Sequence, residues 1–213
     1  MASASESHNQ RNARRSSEAS IEEFARIVEL RDANPAWRGT RLAGGLATVF
    51  GCTIEGAVPA ARVLDLAERY LRAGADEIIL GDTVGFANPA QVRALFRDLI
   101  GLAGSVPVAA HFHDTCGLGL ANGLAAWDVG VRRFDATLGG LGGCPYAPGA
   151  SGNVVMEDLA FMFEAMGMRT GIDIDCLIAV RDLAREALPD EPLHGAIARA
   201  GRPPTEAATA SGR

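Results

Sequence analysis

Four strand-like apolar runs recur along this chain, separated by stretches of helical periodicity, and that alternation limits the fold more than any other feature. The runs are Leu42–Phe50, Glu77–Leu80, Val106–Phe112 and Arg133–Leu138. Between them, Ala60–Ala73, Pro89–Leu102 and Leu118–Val129 carry apolar residues at helical spacing and stop at Gly74, Gly104 and Gly130. Leu42–Phe50 is small and apolar throughout, as a strand packed on both faces should be. Strand–helix units of about 30 residues specify βαβ repeats and a parallel sheet. The polar residues fall at the C-terminal ends of the runs, where (β/α)8 barrels and doubly wound sheets both place their ligands. Four clear strands are half of a closed barrel's eight, so the expected fold is α/β and a partial (β/α)8 TIM barrel.

The flanks are different. Residues 1–19 are rich in Ser, Arg and Asn, and composition alone reads them as a disordered tail. Ser20 has the character of an N-cap, with Glu22 and Glu23 in the first turn of a helix that ends at Asn34-Pro35. Helices are expected again over Met156–Met168 and Ile174–Leu188, and residues 201–213 read as a disordered tail. Residues 20–200 therefore form one expected domain, with the hydrophobic content to bury a core. A net charge of −6 argues against nucleic acid, which requires clustered Lys and Arg. No apolar run is long enough to span a bilayer, and the first residues contain no apolar h-region. Cys52, Cys116, Cys144 and Cys176 lie far apart with no C-x-x-C pair, which fits reduced thiols and a cytoplasmic protein.

The stretch Val106–Asn153 concentrates the residues that can do chemistry. His111 and His113 stand at i and i+2 on a strand, so both imidazoles leave one face while Phe112 packs on the other. Two imidazoles at a strand terminus suit a divalent metal completed by oxygen ligands; a hydrogen-bonded histidine pair is the structural alternative. Two readings stand for Asp114: an outer carboxylate that orients an imidazole, or a turn residue. Asp82, at the end of Ile78–Thr83, is a rim carboxylate for acid–base work or an Asx turn at a helix start. Gly139–Asn153 holds six glycines, which permit close approach of backbone to a ligand and a closing lid. Cys144 within it is an acid–base candidate or a small buried apolar residue. The loop matches neither G-x-G-x-x-G nor a Walker pattern, so dinucleotide and P-loop readings are set aside.

These segments resemble a known family. Gly81-Asp82-Thr83, His111-Phe112-His113-Asp114-Thr115, Phe134-Asp135-Ala136 and the run Gly140–Asn153 (G-L-G-G-C-P-Y-A-P-G-A-S-G-N) resemble the 3-hydroxy-3-methylglutaryl-CoA lyases, among the pyruvate-carboxyltransferase-like metal-dependent TIM barrels. The histidine motif is shared with isopropylmalate and homocitrate synthases, whereas the cysteine-bearing glycine loop is far more specific to the lyases. The resemblance runs from Ser3 to about Leu188. It is imperfect at Thr53-Ile54, where the family usually has Pro-Tyr.

The resemblance implies a Mg²⁺- or Mn²⁺-assisted retro-Claisen cleavage of a CoA thioester to acetoacetate and acetyl-CoA. It makes His111, His113 and Asn153 metal ligands, gives proton transfer to His111 or Asp82, and puts Cys144 near the acetyl-CoA carbanion. The family's first strand carries an Arg-Asp pair, the aspartate being a fourth metal ligand, and this sequence has no such segment. The resemblance thus covers strands five to eight, with residues 1–19 as a remnant of the fourth strand's rim. Exposed sheet edges would then favour a homo-oligomer or pairing with a missing N-terminal half. Two other functions are consistent with these features: a non-catalytic half-barrel acting as an assembly module, and an acyltransferase of the same superfamily.

Overall fold

The computed structural model describes residues 1–143 and 152–203. Strand β3 (Glu77–Asp82) is the centre of a five-stranded parallel sheet, flanked by β2 (Ala43–Ala47) and β4 (Val108–Phe112). The edges are β1 (Ala2–Ser3) and β5 (Arg133–Asp135). Spatial order follows chain order, and every neighbouring pair is parallel. Right-handed crossovers that always step to the next strand in one direction bring the helices to one face. Those helices are α1 (Glu6–Ala13) and α2 (Ser17–Ala33) before β2, then α3 (Ala60–Arg72), α4 (Pro89–Ala103) and α5 (Gly119–Asp128). After β5 come a 3-10 turn (Leu138–Gly140), α6 (Met156–Ala165), α7 (Ile174–Ala187) and α8 (Ile197–Ala200).

The core lies between sheet and helices. Leu46, Ile78 and Leu80 meet Val63, Leu66, Tyr70, Phe96 and Leu99, all of them buried. Each such side chain contributes about 1.5–3 kcal/mol by leaving water. Phe50, Phe96 and Phe112 form a ring cluster with centroids 6.1–6.5 Å apart beneath the C-terminal strand ends. Helix α4 starts with a capping box: Asn88 Oδ1 accepts from the N–H groups of Ala90 and Gln91, and Gln91 Oε1 accepts from Asn88 N–H.

Two expectations need correction. The sheet has five strands among the described residues, not four, because β1 is too short to show any periodicity. The first twenty residues are not a tail: they form β1, α1 and the start of α2, which begins at Ser17 with Ser16 as N-cap. Their polarity misled because these side chains satisfy one another. Ser3 N–H donates to Asn9 Oδ1 (2.8 Å), and Asn9 Nδ2 donates to Arg15 O (2.8 Å) and Ser20 Oγ (3.0 Å). The Ser17 hydroxyl donates to Ser3 O at 2.7 Å. Beyond Pro203, the second tail lies outside the described residues.

Gly44 marks the tightest contact between α3 and the sheet. A Cβ there would stand 2.7 Å from Cγ and Cδ1 of Tyr70, whose ring is buried and edge-on to Phe24 at 5.0 Å. Alanine ordinarily favours a strand over glycine, but here the clash decides the sign. Gly44→Ala is expected to lower stability by about 1–3 kcal/mol, read as a fall in urea midpoint with an unchanged m-value.

Candidate functional site

The face of the sheet away from α3 and α4 opens on a cavity of about 480 Å³. Strand alternation selects most of its lining: Gly45 and Ala47 from β2 (with Leu46 between them also touching it), Ile79 and Gly81 from β3, and His111 and Asp135 from β4 and β5. Thr83, His113, Gly142, Gly143 and Asn153 add the rim, and Met1, His8 and Asn12 close it from the N-terminal side.

Asn153 reaches His113 through the main chain. Asp114 N–H donates to Gly152 O (3.0 Å) and Val154 N–H to Phe112 O (3.0 Å), so His113 and Asn153 form an antiparallel bridge. The Asn153 amide then donates from Nδ2 to the carbonyls of Leu141 (2.7 Å) and Gly142 (3.0 Å). With both donor directions used, Asn153 Oδ1 is buried with no hydrogen-bond partner among the described residues, as is His113 Nδ1. The imidazoles of His111 and His113 lie 5.2 Å apart, centroid to centroid. Burial, and then the neighbouring His111, push the His113 pKa down to about 4, so His113 is a neutral lone-pair donor at pH 7.

His111 Nδ1 meets Asp135 Oδ1 at 2.5 Å, and the two residues are direct partners in the β4–β5 register. That carboxylate fixes the imidazole by accepting from Nδ1–H, which leaves the ring's lone pair on Nε2. The sequence offered Asp114 for this role, and Asp135 stood in the Phe134-Asp135-Ala136 motif with no role assigned to it. Asp114 is the turn residue, its Oδ1 accepting from Gly119 N–H at 2.7 Å. The register of two adjacent strand ends was the available signal. His8 and Asn12 had no role assigned either: composition read their segment as disordered, and the resemblance read it only as a remnant of the fourth strand's rim.

Asp82 does not join the cavity. It shares the helix-facing side of β3 with Ile78 and Leu80, and it is 1% exposed. Its oxygens accept from the N–H groups of Phe86 (3.0 Å) and Ala87 (3.1 Å), which is the Asx-type turn. Cys144 lies outside the described residues. Among the described residues no three His, Cys, Asp or Glu side chains converge; beside the two imidazoles, the cavity is lined by Asn153, whose amide oxygen has no partner among those residues.

Set beside known proteins, the chain matches the HMGL-like family model over residues 1–184. It is 42% identical to the (R)-citramalyl-CoA lyase of Chloroflexus aurantiacus over 198 residues, covering 93% of this chain and 61% of that protein. It is 41% identical to a hydroxymethylglutaryl-CoA lyase of Bacillus subtilis, covering 87% of this chain and 61% of the relative. Among solved structures, an HMG-CoA lyase from Acinetobacter baumannii in complex with coenzyme A and 3-methylmalate superposes with a TM-score of 0.86 at 45% identity. That match covers 94% of this chain and 64% of the other. The chain thus spans about three-fifths of the length of the curated relatives it matches.

Asp82 and His113 give opposite pH signatures. Burial lifts the Asp82 pKa from 3.8 to about 6 against the pull of its N–H donors, so the folded state holds that proton more tightly than the unfolded chain. Its contribution is present below 3.8 and lost as pH rises through about 6. His113, with a depressed pKa, contributes stability above 6.5 that is lost as pH falls towards 4. Replacing Asp82 isolates the first effect. Relative to Asp82→Asn, the wild type should gain about 1 kcal/mol between pH 7 and pH 5 in denaturant melts.

Proposed function

Because the chain belongs to the HMGL-like family, we propose that it carries the metal-binding side of a carbon–carbon lyase site for CoA thioesters. The reaction is retro-Claisen cleavage of a 3-hydroxy-3-methylglutaryl thioester to acetoacetate and acetyl-CoA. The observation that supports this best is the meeting of two imidazoles with the orphaned amide oxygen of Asn153. Buried acceptors without a donor are what a bound cation completes.

On this reading His111, His113 and Asn153 hold Mg²⁺ or Mn²⁺. When bound, the metal supplies a Lewis acid for the substrate's hydroxyl and carbonyl oxygens. Asp135 keeps a proton at His111 Nδ1 and orients the ring, so proton handling falls to this pair; the Asp82 carboxylate is occupied by loop N–H groups. The resemblance assigns Cys144, on the loop that Asn153 closes, to act beside the acetyl-CoA carbanion. Ile79, Gly81 and Ala47 give the cavity an apolar floor.

The finer fold assignment is also a proposal. Strands β2–β5 correspond to strands five to eight of a barrel, and β1 to the remnant of the fourth. The fourth metal ligand that the resemblance implies has no counterpart in this sequence, so the chain alone binds metal weakly and turns over slowly. The outer edges of β1 and β5 have no strand partner among the described residues, which supports pairing with another copy or with a chain supplying the earlier strands. The Chloroflexus relative favours a citramalyl thioester as a second substrate, since both acyl groups carry a tertiary hydroxyl β to the thioester carbonyl.

Mn²⁺ titration followed by EPR tests the ligand set. His113→Ala and Asn153→Ala should each weaken binding at least about tenfold, and Asp135→Asn about tenfold. Mn²⁺ affinity indifferent to both alanine variants would sink the assignment. Acetyl-CoA release from the two thioesters, offered separately, tests the reaction. It should require Mn²⁺ and stay well below the roughly 10 s⁻¹ of an ordinary enzyme for this chain alone. Acyl transfer from acetyl-CoA to an oxo acid, without cleavage, would point to a synthase instead.

A further inference from the structure

Outside the cavity, a buried ion pair joins Glu157 on α6 to Arg181 on α7. Glu157 is fully buried and Arg181 3% exposed; Arg181 Nη1 donates to Glu157 Oε1. A buried ion pair is weak evidence of stabilisation, since well-packed apolar side chains often serve as well or better. The pair's surroundings show what else it does. Gly139 N–H donates to both carboxylate oxygens of Glu157, at 3.2 and 3.0 Å. Gly139 O accepts from His194 N–H at 2.8 Å, so the segment after α7 fastens the same residue from its other side. That segment is pinned a few residues later, where Asp158 accepts from Ala196 and Ile197 N–H, both at 2.8 Å.

Gly139 opens the glycine-rich loop, and the turn after it meets the Asn153 side chain. The Thr137 hydroxyl donates to Leu141 O at 2.6 Å, and Met156 N–H donates to Thr137 O at 2.9 Å. The Leu141 and Gly142 carbonyls take the two amide protons of Asn153. Those carbonyls hold the Asn153 amide by its nitrogen and leave Oδ1 without a partner among the described residues, and Gly139 stands at the start of the turn that carries them.

We propose that Glu157, with Arg181 as its counter-ion, is a positioning group for Asn153: it anchors the start of the loop whose carbonyls turn the Asn153 side-chain oxygen into the cavity. A pair remote from the cavity thereby tunes metal affinity without touching the metal. The consequence for metal rests on Asn153 being a ligand; the consequence for the loop does not.

Two double variants of the full chain separate positioning from packing. Glu157→Gln/Arg181→Met removes both charges but keeps an acceptor for Gly139 N–H. Glu157→Leu/Arg181→Met also removes both charges but offers no acceptor. Amide hydrogen exchange of residues 137–142 and 152–156 should stay within about threefold of wild type in the first and accelerate at least about tenfold in the second. Mn²⁺ affinity should follow the same order, falling about tenfold only in the second. Equal exchange in the two variants overturns the proposal, whatever their melting temperatures. Mn²⁺ binding that survives Asn153→Ala overturns the ligand assignment, while the exchange contrast still decides the positioning claim.

Discussion

Two main-chain hydrogen bonds, from Asp114 N–H to Gly152 O and from Val154 N–H to Phe112 O, tie residues far apart in the chain into one rim. Everything chemical at this site depends on that tie. Without it, β4 would present two imidazoles and nothing else, and Asn153 would be one more residue after a glycine-rich loop. With it, the strand's own register carries the side chain of His113 next to that of Asn153. The glycines at the loop's base make the closure possible. A Cβ on Gly152 would come within 2.1 Å of Gly140 O, a contact no other residue type could accept. The close approach that so many glycines suggested is, at this pair, between the two legs of the loop.

The sheet explains why these groups share a face. Because each crossover steps to the next strand in the same direction, the helices occupy one side and leave the other to the cavity. Side chains alternate between the two, so a single position decides whether a polar residue is functional or structural. His111 and Asp135 point to the cavity, while Asp82, one position after the cavity-lining Gly81, points to the helices and caps a turn. The motif around Asp82 located the strand end correctly, but a motif read as a string has no face. Counting the pleat from Ile79 and Gly81 would have turned Asp82 away from the site.

Much of the architecture was legible because periodicity is a local property. The helices over 60–72 and 89–103 and the strands at 77–82 and 108–112 sit within a few residues of where the apolar spacing put them. The N-terminal segment was not legible from its composition, for a reason that is equally physical. Its buried polar side chains (Ser3, Ser5, Asn9 and Ser17) find partners within the segment, and its main chain is tied to a residue 43 positions away where Ser5 N–H donates to Thr48 Oγ1. Composition registers each of them as solvent-seeking, whereas the fold supplies the water-like partners itself. Asp135 stood in a motif without a task likewise: its importance lies in a cross-strand register, which a single chain read in order does not display.

The distribution of burial around the site gives the polar groups different tasks. His113 and Asn153 lose water on folding and, among the described residues, gain no protein partner at one acceptor each. Such a deficit is unfavourable in the free protein and favours whatever cation or donor fills it, which is a source of affinity. The His111–Asp135 pair remains partly exposed, so its bond does more to hold the ring's orientation than to hold the fold together. Glu157 and Arg181 sit at the other extreme, wholly withdrawn, where a charge must be matched or it disrupts its surroundings. Moving from the cavity to that pair, the groups pass from incomplete to paired. A binding site needs that gradient: open valences where the ligand enters, set on a base whose own valences are closed.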